Sequence, residues 1–480
     1  MQKHPSEVRR RDRSDVTSQL EPDAAHMAID RALEAGVAAR VGEAAQRVRS
    51  AGGWAVVVGG FVRDQLLGVT SKDIDVEVYG LTVDGLADVL GQLGTVLRVG
   101  ESFGVLKLAG VDADFSLPRG CPSPARPTRE SFAEAARHRD LTINSMGLDA
   151  LTGELLDPLG GKRDIEAGVL RAADARHFGE DPLRVFRVAQ LASRFEFQAD
   201  QELVRLCQAL AVDGVAPERI FEELRKALLK ARRPSVAFEL LRETRALRVL
   251  PELAALIDIP QDPEWHPEGD VWTHTLMVVD EAAQLRDGGD DDLPLMMAAL
   301  CHDLGKSATT AIERGRVRSL GHEQQSAVDA ELLLSRLRAS TVLTNQVKVL
   351  VAHHLAPAHL MEGAASDRAY RRLSRELAAA GTSMRVLERL ARADHLGRTT
   401  AEARSRTFPA GDTFRERVAR LEIEAGAPKD VVLGRHLIAR GMRPGEHFHD
   451  ILARCRDLQY ETGWDDPERI LDAVLGPRRG

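Results

Sequence analysis

The stretch Val56-Val57-Val58-Gly59-Gly60-Phe61-Val62-Arg63-Asp64, followed by Asp73-Ile74-Asp75-Val76-Glu77-Val78, decides the fold class of this chain. An apolar strand runs into a glycine pair and then into a helical pattern. Glycines between strand and helix let backbone N–H groups come close to phosphates, at a helix N-terminus that favours anions. Thirteen residues after Gly60, the strand alternation places Asp73 and Asp75 on one face, with Ile74, Val76 and Val78 on the other. Two carboxylates so placed suit Mg²⁺ ions about 3.5–4 Å apart, one activating a 3′-hydroxyl and one holding a triphosphate. A third acid is expected from a neighbouring strand. Asp112-Ala113-Asp114-Phe115-Ser116-Leu117 offers both Asp112 and Asp114 on a shared face.

Outward from this stretch, the chain has 480 residues, enough for about three domains. It is 44% hydrophobic and 29% charged, a globular balance that excludes wholesale disorder. No apolar run reaches the roughly 18–20 residues of a membrane span, and the first 25 residues carry no apolar signal core. The four cysteines form no CxxC pair, which argues against a disulfide scaffold or a thiolate zinc site. These features predict a cytoplasmic protein. The net charge of −8 argues against binding nucleic acid by bulk charge, yet leaves room for a local basic surface.

Short β-rich runs punctuate the chain from Trp54 to Pro158, with expected strands at 54–58, 74–79, 95–99, 105–108, 112–117 and 141–148. After Gly160-Gly161 the apolar residues recur at helical spacing, which predicts an all-α remainder. The fold class is therefore α+β. The expected division is an extension at 1–25 without structure, a head at 26–160, a helical neck and body at 161–264, a helical metal-site domain at 265–405 and a helical tail at 406–480.

Two further groups of residues carry chemistry. In Glu180-Asp181-Pro182-Leu183-Arg184, helical spacing brings Asp181 and Arg184 to one side, with Arg187 a turn further on. Cytosine and adenine both present an amine donor beside a ring-nitrogen acceptor. A carboxylate beside a guanidinium is complementary to that pattern and not to uracil or guanine, although such a pair by itself is more often a surface ion pair of little worth. Later, Thr273-His274-Thr275 and Leu300-Cys301-His302-Asp303-Leu304-Gly305-Lys306 place imidazoles and a carboxylate beside apolar runs, and Asp394 comes later on another helix. Buried His–Asp groups need a strong partner, and a divalent metal supplies one. Mixed nitrogen and oxygen ligands suit Mn²⁺, Fe²⁺, Ni²⁺ or Co²⁺.

The Gly59-Gly60-x-Val62-Arg63-Asp64 and Asp73-x-Asp75 pattern resembles the class II tRNA nucleotidyltransferases, or CCA-adding enzymes, and the related bacterial poly(A) polymerases. The resemblance implies a polymerase-β-like palm, with Mg²⁺ on Asp73 and Asp75 and with Asp114 as the third acid. It implies that Gly59, Gly60 and Arg63 hold triphosphate. Arg139-Asp140-Leu141-Thr142-Ile143-Asn144 resembles the family's ribose-contacting segment, with His138 where an arginine usually stands, and so assigns Arg139, Asp140 and Asn144 to the sugar. Asp181 and Arg184, with Arg187 beyond, match its base-reading motif.

His274, His302, Asp303 and Asp394 resemble the ligands of HD phosphohydrolases, with Lys306, His322 and His354 as accessory groups. The tail, Gly434-Arg435-His436 and Gly441-Met442-Arg443-Pro444, resembles the branch that carries both sites. Together these resemblances imply addition of CCA to the tRNA acceptor arm from CTP and ATP, with hydrolysis of 2′,3′-cyclic phosphates or phosphomonoesters at the second site. No membrane and no obligatory protein partner is implied. The alternatives are an A-adding or CC-adding specialist, a poly(A) polymerase, or a hydrolase whose head only binds RNA.

Overall fold

The computed structural model describes residues 35–71, 73–99, 104–121, 124–362, 365–426 and 428–477. The expected extension at 1–25 lies outside them. Seven strands form the first sheet: β1 Trp54–Val58, β2 Ile74–Tyr79, β3 Val96–Val99, β4 Val105–Leu108, β5 Ala113–Ser116, β6 Gly147–Asp149 and β7 Leu155–Leu156. Their order is β3-β4-β5-β2-β1-β6-β7. β2 and β5 run parallel, and the other neighbours run antiparallel.

The apolar alternation of β1 and β2 holds the sheet against its helices. Val56, Val58, Tyr79, Phe132, Ala135 and Leu156 form one buried cluster. Each large side chain buried there contributes about 1.5–3 kcal/mol. The helix Arg129–Arg137 supplies Phe132 and Ala135 and opens on Thr128, whose hydroxyl accepts from Ser131 N. With the apolar side chains of β2 spent on the core, its carboxylates are left for the cleft.

The chain divides into two compact units. One runs to Val188 and takes in Phe195–Ala211, and the other comprises Ala189–Arg194 and Val212 onward. The first contains the sheet. The second is mostly helical, and its tail carries a core of its own from Val432, Leu437, Cys455, Ile470 and Leu471.

The structure corrects three expectations. The stretch 141–148 is not a single strand: Thr142–Asn144 is a turn of 3₁₀ helix, and only Gly147–Asp149 pairs in the sheet. Local polar side chains compete with strand pairing here, since Asp140 Oδ1 accepts from Leu141 N and Ser145 Oγ donates to Leu141 O. Nor is the remainder wholly helical. β8 Val169–Leu170 pairs with β9 Gln198–Ala199, and β10 Thr310–Glu313 forms a hairpin with β11 Arg316–Ser319. The hairpin is mostly exposed, so it lacks the buried alternation that marks a strand in sequence. Lastly, the helix begins at Arg184, so Asp181 precedes it, with Oδ1 accepting from Leu183 N.

Candidate active sites

In the first unit the acids meet across neighbouring strands. The parallel register places Asp75 beside Asp114, and Glu77 beside Ser116. Asp73 lies just before β2 and is exposed, while Asp112 stands outside β5. Lys107, opposite Asp114 on β4, reaches its Oδ1 at 2.9 Å. Gly59 adopts φ +78°, and a Cβ there would lie 3.0 Å from Arg139 Nη1 and 3.7 Å from Asp75 Oδ2. Glycine is favoured here by the left-handed backbone, and a side chain would also crowd the Arg139 guanidinium.

Glu77 is a residue that sequence reasoning missed. It accepts from Arg139 Nη2 at 2.6 Å on one oxygen and from the Tyr79 hydroxyl at 2.9 Å on the other. The signal was the continued alternation 73, 75, 77. Desolvation pushes the Asp75 carboxyl up, Arg139 draws it down, and Asp114, Glu77 and Asp73 push it up again, leaving it raised. Carboxylates crowded in this way favour a divalent cation, so the residues fit Mg²⁺.

Arg63 is tied to its neighbours at the base of the helix that follows Gly59. It is buried, bonds Asp64 Oδ1 through Nε and Nη2, and donates to Asn144 Oδ1 at 2.6 Å through Nη1. Through that bond it braces the Asn144 side chain. Asn144 in turn donates to Asp140 Oδ1 at 2.9 Å, and Arg187 Nε lies 2.9 Å from Asp140 Oδ2. Burial would raise the Asp140 carboxyl, but Arg187, Asn144 and the Leu141 N–H hold it low.

Gly59, Gly60, Asp75, Arg139, Asn144 and Arg184 all line one cleft of about 400 Å³, with Asp140, Asp181 and Arg187 also on its wall. Arg184 is oriented by two carbonyls, Nη1 donating to His177 O and Nη2 to His138 O.

The second unit assembles its site from the ends of several helices. His274 comes from Val271–Gln284, and His302 and Asp303 come just after Asp292–Cys301. His322 opens His322–Arg336, His354 comes just after Thr341–Ala352, and Asp394 lies in Met384–Leu396. His274, His302 and His354 are at most 1% exposed. Asp394 Oδ1 lies 3.1 Å from His274 Nε2, and Asp303 Oδ2 lies 3.2 Å from His302 Nε2. Asp303 Oδ1 lies 3.3 Å from His322 Nε2.

All four imidazoles have Nδ1 turned outward onto an oxygen. Glu268 Oε1 lies 2.8 Å from His274, Ala299 O 2.9 Å from His302, Ser319 O 2.8 Å from His322 and Val351 O 2.7 Å from His354. A proton held at each Nδ1 leaves the Nε2 lone pairs available toward Asp303 and Asp394, the arrangement that metal-bound histidines use. His274, His302 and Asp303 form one group of donors within 4.8 Å of one another, and Asp303, His322 and His354 form another. The residues therefore fit divalent metal, with Asp303 common to both groups.

Burial would raise both carboxyls. His302 and Lys306 instead hold Asp303 well below the usual range, and Arg398 and His274 do so for Asp394. Lys306 Nζ lies 2.7 Å from Asp303 Oδ2 and donates to Gln261. Arg398 Nη2 lies 3.1 Å from Asp394 Oδ2, and its Nε is buried without a hydrogen-bond partner among the described residues. Glu268 and Arg398 were missed in sequence: Glu268 stood beside His266-Pro267 with no spacing rule tying it to His274, and Arg398 lies one helical turn beyond Asp394.

Residues 55–171 match the poly A polymerase head domain family, 197–257 the family described as "Probable RNA and SrmB- binding site of polymerase A", and 271–396 the HD domain family. The chain is 40% identical over 298 residues to a multifunctional CCA protein of Herminiimonas arsenicoxydans, covering 59% of this chain and 68% of that one. It is 38% identical over 318 residues to the multifunctional CCA protein of Cupriavidus metallidurans, covering 62% and 73%.

Among solved structures, a CCA-adding enzyme with CTP shares the fold at a TM-score of 0.60 and 18% identity, over 97% of this chain and 98% of that one. A Thermotoga maritima CCA-adding enzyme complexed with tRNA does so at 0.56 and 17%, over the same shares. No helix among the described residues is long and apolar enough to cross a membrane. With a polymerase-type head, an RNA-binding segment and an HD domain in one chain, and with these relatives, the protein belongs to the multifunctional CCA protein family.

Proposed function

We propose that this protein is a cytoplasmic enzyme that adds CCA to tRNA 3′ ends from CTP and ATP, and that its HD domain hydrolyses 2′,3′-cyclic phosphates or phosphomonoesters. The observation that carries the first activity is the pairing of Asp75 with Asp114 beside Gly59 and Arg139, in the cleft that also holds Asp181 and Arg184. Mg²⁺ at Asp73 and Asp75 supplies activation of the attacking hydroxyl and charge neutralisation of the triphosphate.

The chain's own residues do the rest. The Gly59-Gly60 backbone lies against the phosphates, and Asp114 completes the acidic set. Arg139, Asp140 and Asn144 hold the sugar, with Arg63 fixing the Asn144 amide. Asp181 accepts the amine of cytosine or adenine while Arg184 donates to the ring nitrogen. The helical neck, body and tail grip the acceptor arm by shape and phosphate contacts. We keep the functional division of the chain at 160, 264 and 405.

In the HD domain, His274, His302, Asp303 and Asp394 would hold one transition ion, of the Ni²⁺, Mn²⁺, Fe²⁺ or Co²⁺ class. His322 and His354 would extend the set to a second through Asp303. Such an ion supplies a nucleophilic water at neutral pH. Lys306, and Arg398 through its buried Nε that has no hydrogen-bond partner among the described residues, would meet the phosphate oxygens.

The test incubates the protein and Mg²⁺ with tRNAs ending before CCA, after C and after CC, each with one labelled NTP. CTP incorporation on the first two and ATP on the third are expected. Incorporation of ATP on the CC-ended tRNA alone would identify an A-adding specialist. Asp75→Asn should lower incorporation by roughly 10²–10³-fold, the scale lost with a central electrostatic group, while leaving phosphoester hydrolysis intact. Incorporation that survives both Asp73→Asn and Asp75→Asn would overturn the assignment of the head.

A further inference from the structure

A second cluster of metal-ligating side chains lies at the edge of the nucleotide cleft. His138 Nδ1 and His177 Nδ1 converge on one oxygen, Glu180 Oε1, at 2.8 and 2.7 Å. The two rings are 3.9 Å apart between centroids. Glu134, on the helix Arg129–Arg137, brings a carboxylate oxygen within 4.8 Å of a ring nitrogen of each histidine. Its nearest cation is Arg137 at 3.8 Å, a loose pair that an ion can displace.

The cluster is built rather than incidental. The His138 side chain is only 15% exposed. Gly120, at φ +71°, seats the His138 ring so closely that a Cβ there would overlap it. Each histidine also has two tasks: its ring faces Glu180, and its carbonyl accepts from a terminal nitrogen of Arg184. Glu180 itself lies 3.8 Å from Arg184.

We propose that His138, His177, Glu180 and Glu134 form a site for a divalent transition-metal ion, and that its occupation acts on Arg184 through the two histidine carbonyls. Two imidazoles with two carboxylates select Zn²⁺, Co²⁺ or Ni²⁺ over the Mg²⁺ of the acidic cleft. Ligation through Nδ1 moves each ring proton to Nε2 and replaces the two contacts to Glu180 with bonds to the ion. The rings, one residue's length from the carbonyls that hold Arg184, shift together. The guanidinium then loses its alignment for the incoming base. The ion site stands on its own geometry, while the effect on nucleotide use rests on the function proposed above.

The test uses the full chain, stripped of metal. Co²⁺ binding is measured by equilibrium dialysis and visible absorption in the native protein and in the His138→Gln/His177→Gln variant, with thermal melts to verify folding. The native protein should bind one equivalent more than the variant, while the HD-site equivalents persist in both. Glu134→Gln, which removes one proposed ligand and leaves both histidines in place, should weaken the extra equivalent by at least roughly tenfold, the lower end of what even an outer-shell partner contributes to metal affinity.

Under saturating Mg²⁺, Zn²⁺ should raise the native KM for CTP or ATP by roughly fivefold, the lower end for coupled sites, with a smaller change in kcat. The double variant should lack this response relative to its own metal-free rate. Equal Co²⁺ stoichiometry in native and variant proteins overturns the site. A lost equivalent with an unchanged Zn²⁺ response overturns the coupling to Arg184. Absence of any incorporation by the native protein counts against the proposed function instead, and the Co²⁺ count still decides the site.

Discussion

At the scale of single residues, the nucleotide cleft is backed by a chain of polar contacts in which the Asn144 amide links two charged pairs: Asp64, Arg63, Asn144, Asp140, Arg187. Arg63 serves two partners with a planar fork, a geometry that a lysine ammonium cannot reproduce. Arg63→Lys is expected to loosen Asn144 and raise the KM for NTP by roughly tenfold, the cost of about one good polar contact, with discrimination against dNTP falling in parallel. Single-turnover incorporation of CTP and dCTP measures both. Glu77→Gln leaves Arg139 facing a neutral amide in a buried setting. It should destabilise the fold by about 1–3 kcal/mol, read as a lowered denaturation midpoint, and should also weaken nucleotide binding.

At the scale of elements, helix ends place the HD histidines. Each ring is oriented by an oxygen on its outer nitrogen, three of them backbone carbonyls and one the Glu268 carboxylate. Only the last is open to mutation. Glu268→Gln should lower metal affinity about 10–100-fold without altering the ligands themselves, measured by competition with a chelating dye.

Protons compete unequally at this site. Burial and the neighbouring His302 push His354 down to about 3, so it is already neutral and ready. For His302, burial lowers the proton affinity, but Asp303 and Asp394 outweigh it and leave it raised. Below that raised value His302 carries a second proton, at Nε2, which an entering ion must displace; above it the Nε2 lone pair is available. Metal affinity should rise with pH until it passes the raised His302 value and then level off, with proton release detectable in weakly buffered solution. An affinity independent of pH between 5 and 8 would contradict this.

At the scale of the whole molecule, each site is made wholly from residues of one compact unit. The acids and their arginines belong to the first, and the HD ligands to the second. The two chemistries should separate cleanly. Treatment with a chelator and then with Mg²⁺ should restore nucleotide incorporation but leave phosphoester hydrolysis lost until Ni²⁺, Co²⁺ or Mn²⁺ returns. Assaying both activities on one preparation checks this, and failure of Mg²⁺ to restore incorporation would argue against the metal assignment of the head.

Much of this was legible in the linear chain because it depends on local periodicity and short spacing. The strand into Gly59-Gly60, the alternation of Asp73 and Asp75, and the helical phase of the remainder are all properties of a few neighbouring residues. Family motifs then extended the reading to Arg139, Asn144, Arg184 and the HD ligands.

The tertiary structure alone decided whatever depends on pairs distant in sequence. Periodicity left Asp112 and Asp114 on one face and the family resemblance pointed to Asp114, but its place directly beside Asp75 came from the β2–β5 register. Glu77 was drawn to Arg139 across 62 positions, and Arg63 to Asn144 across 81. The 3₁₀ turn at Thr142–Asn144 and the placement of Asp181 before its helix came from side chain–backbone bonds that outcompeted the regular ladder. Periodicity reports which face of an element is buried. It carries no information on which buried charge will find which partner, because that choice is made by the packing of elements whose contacts the chain does not encode locally.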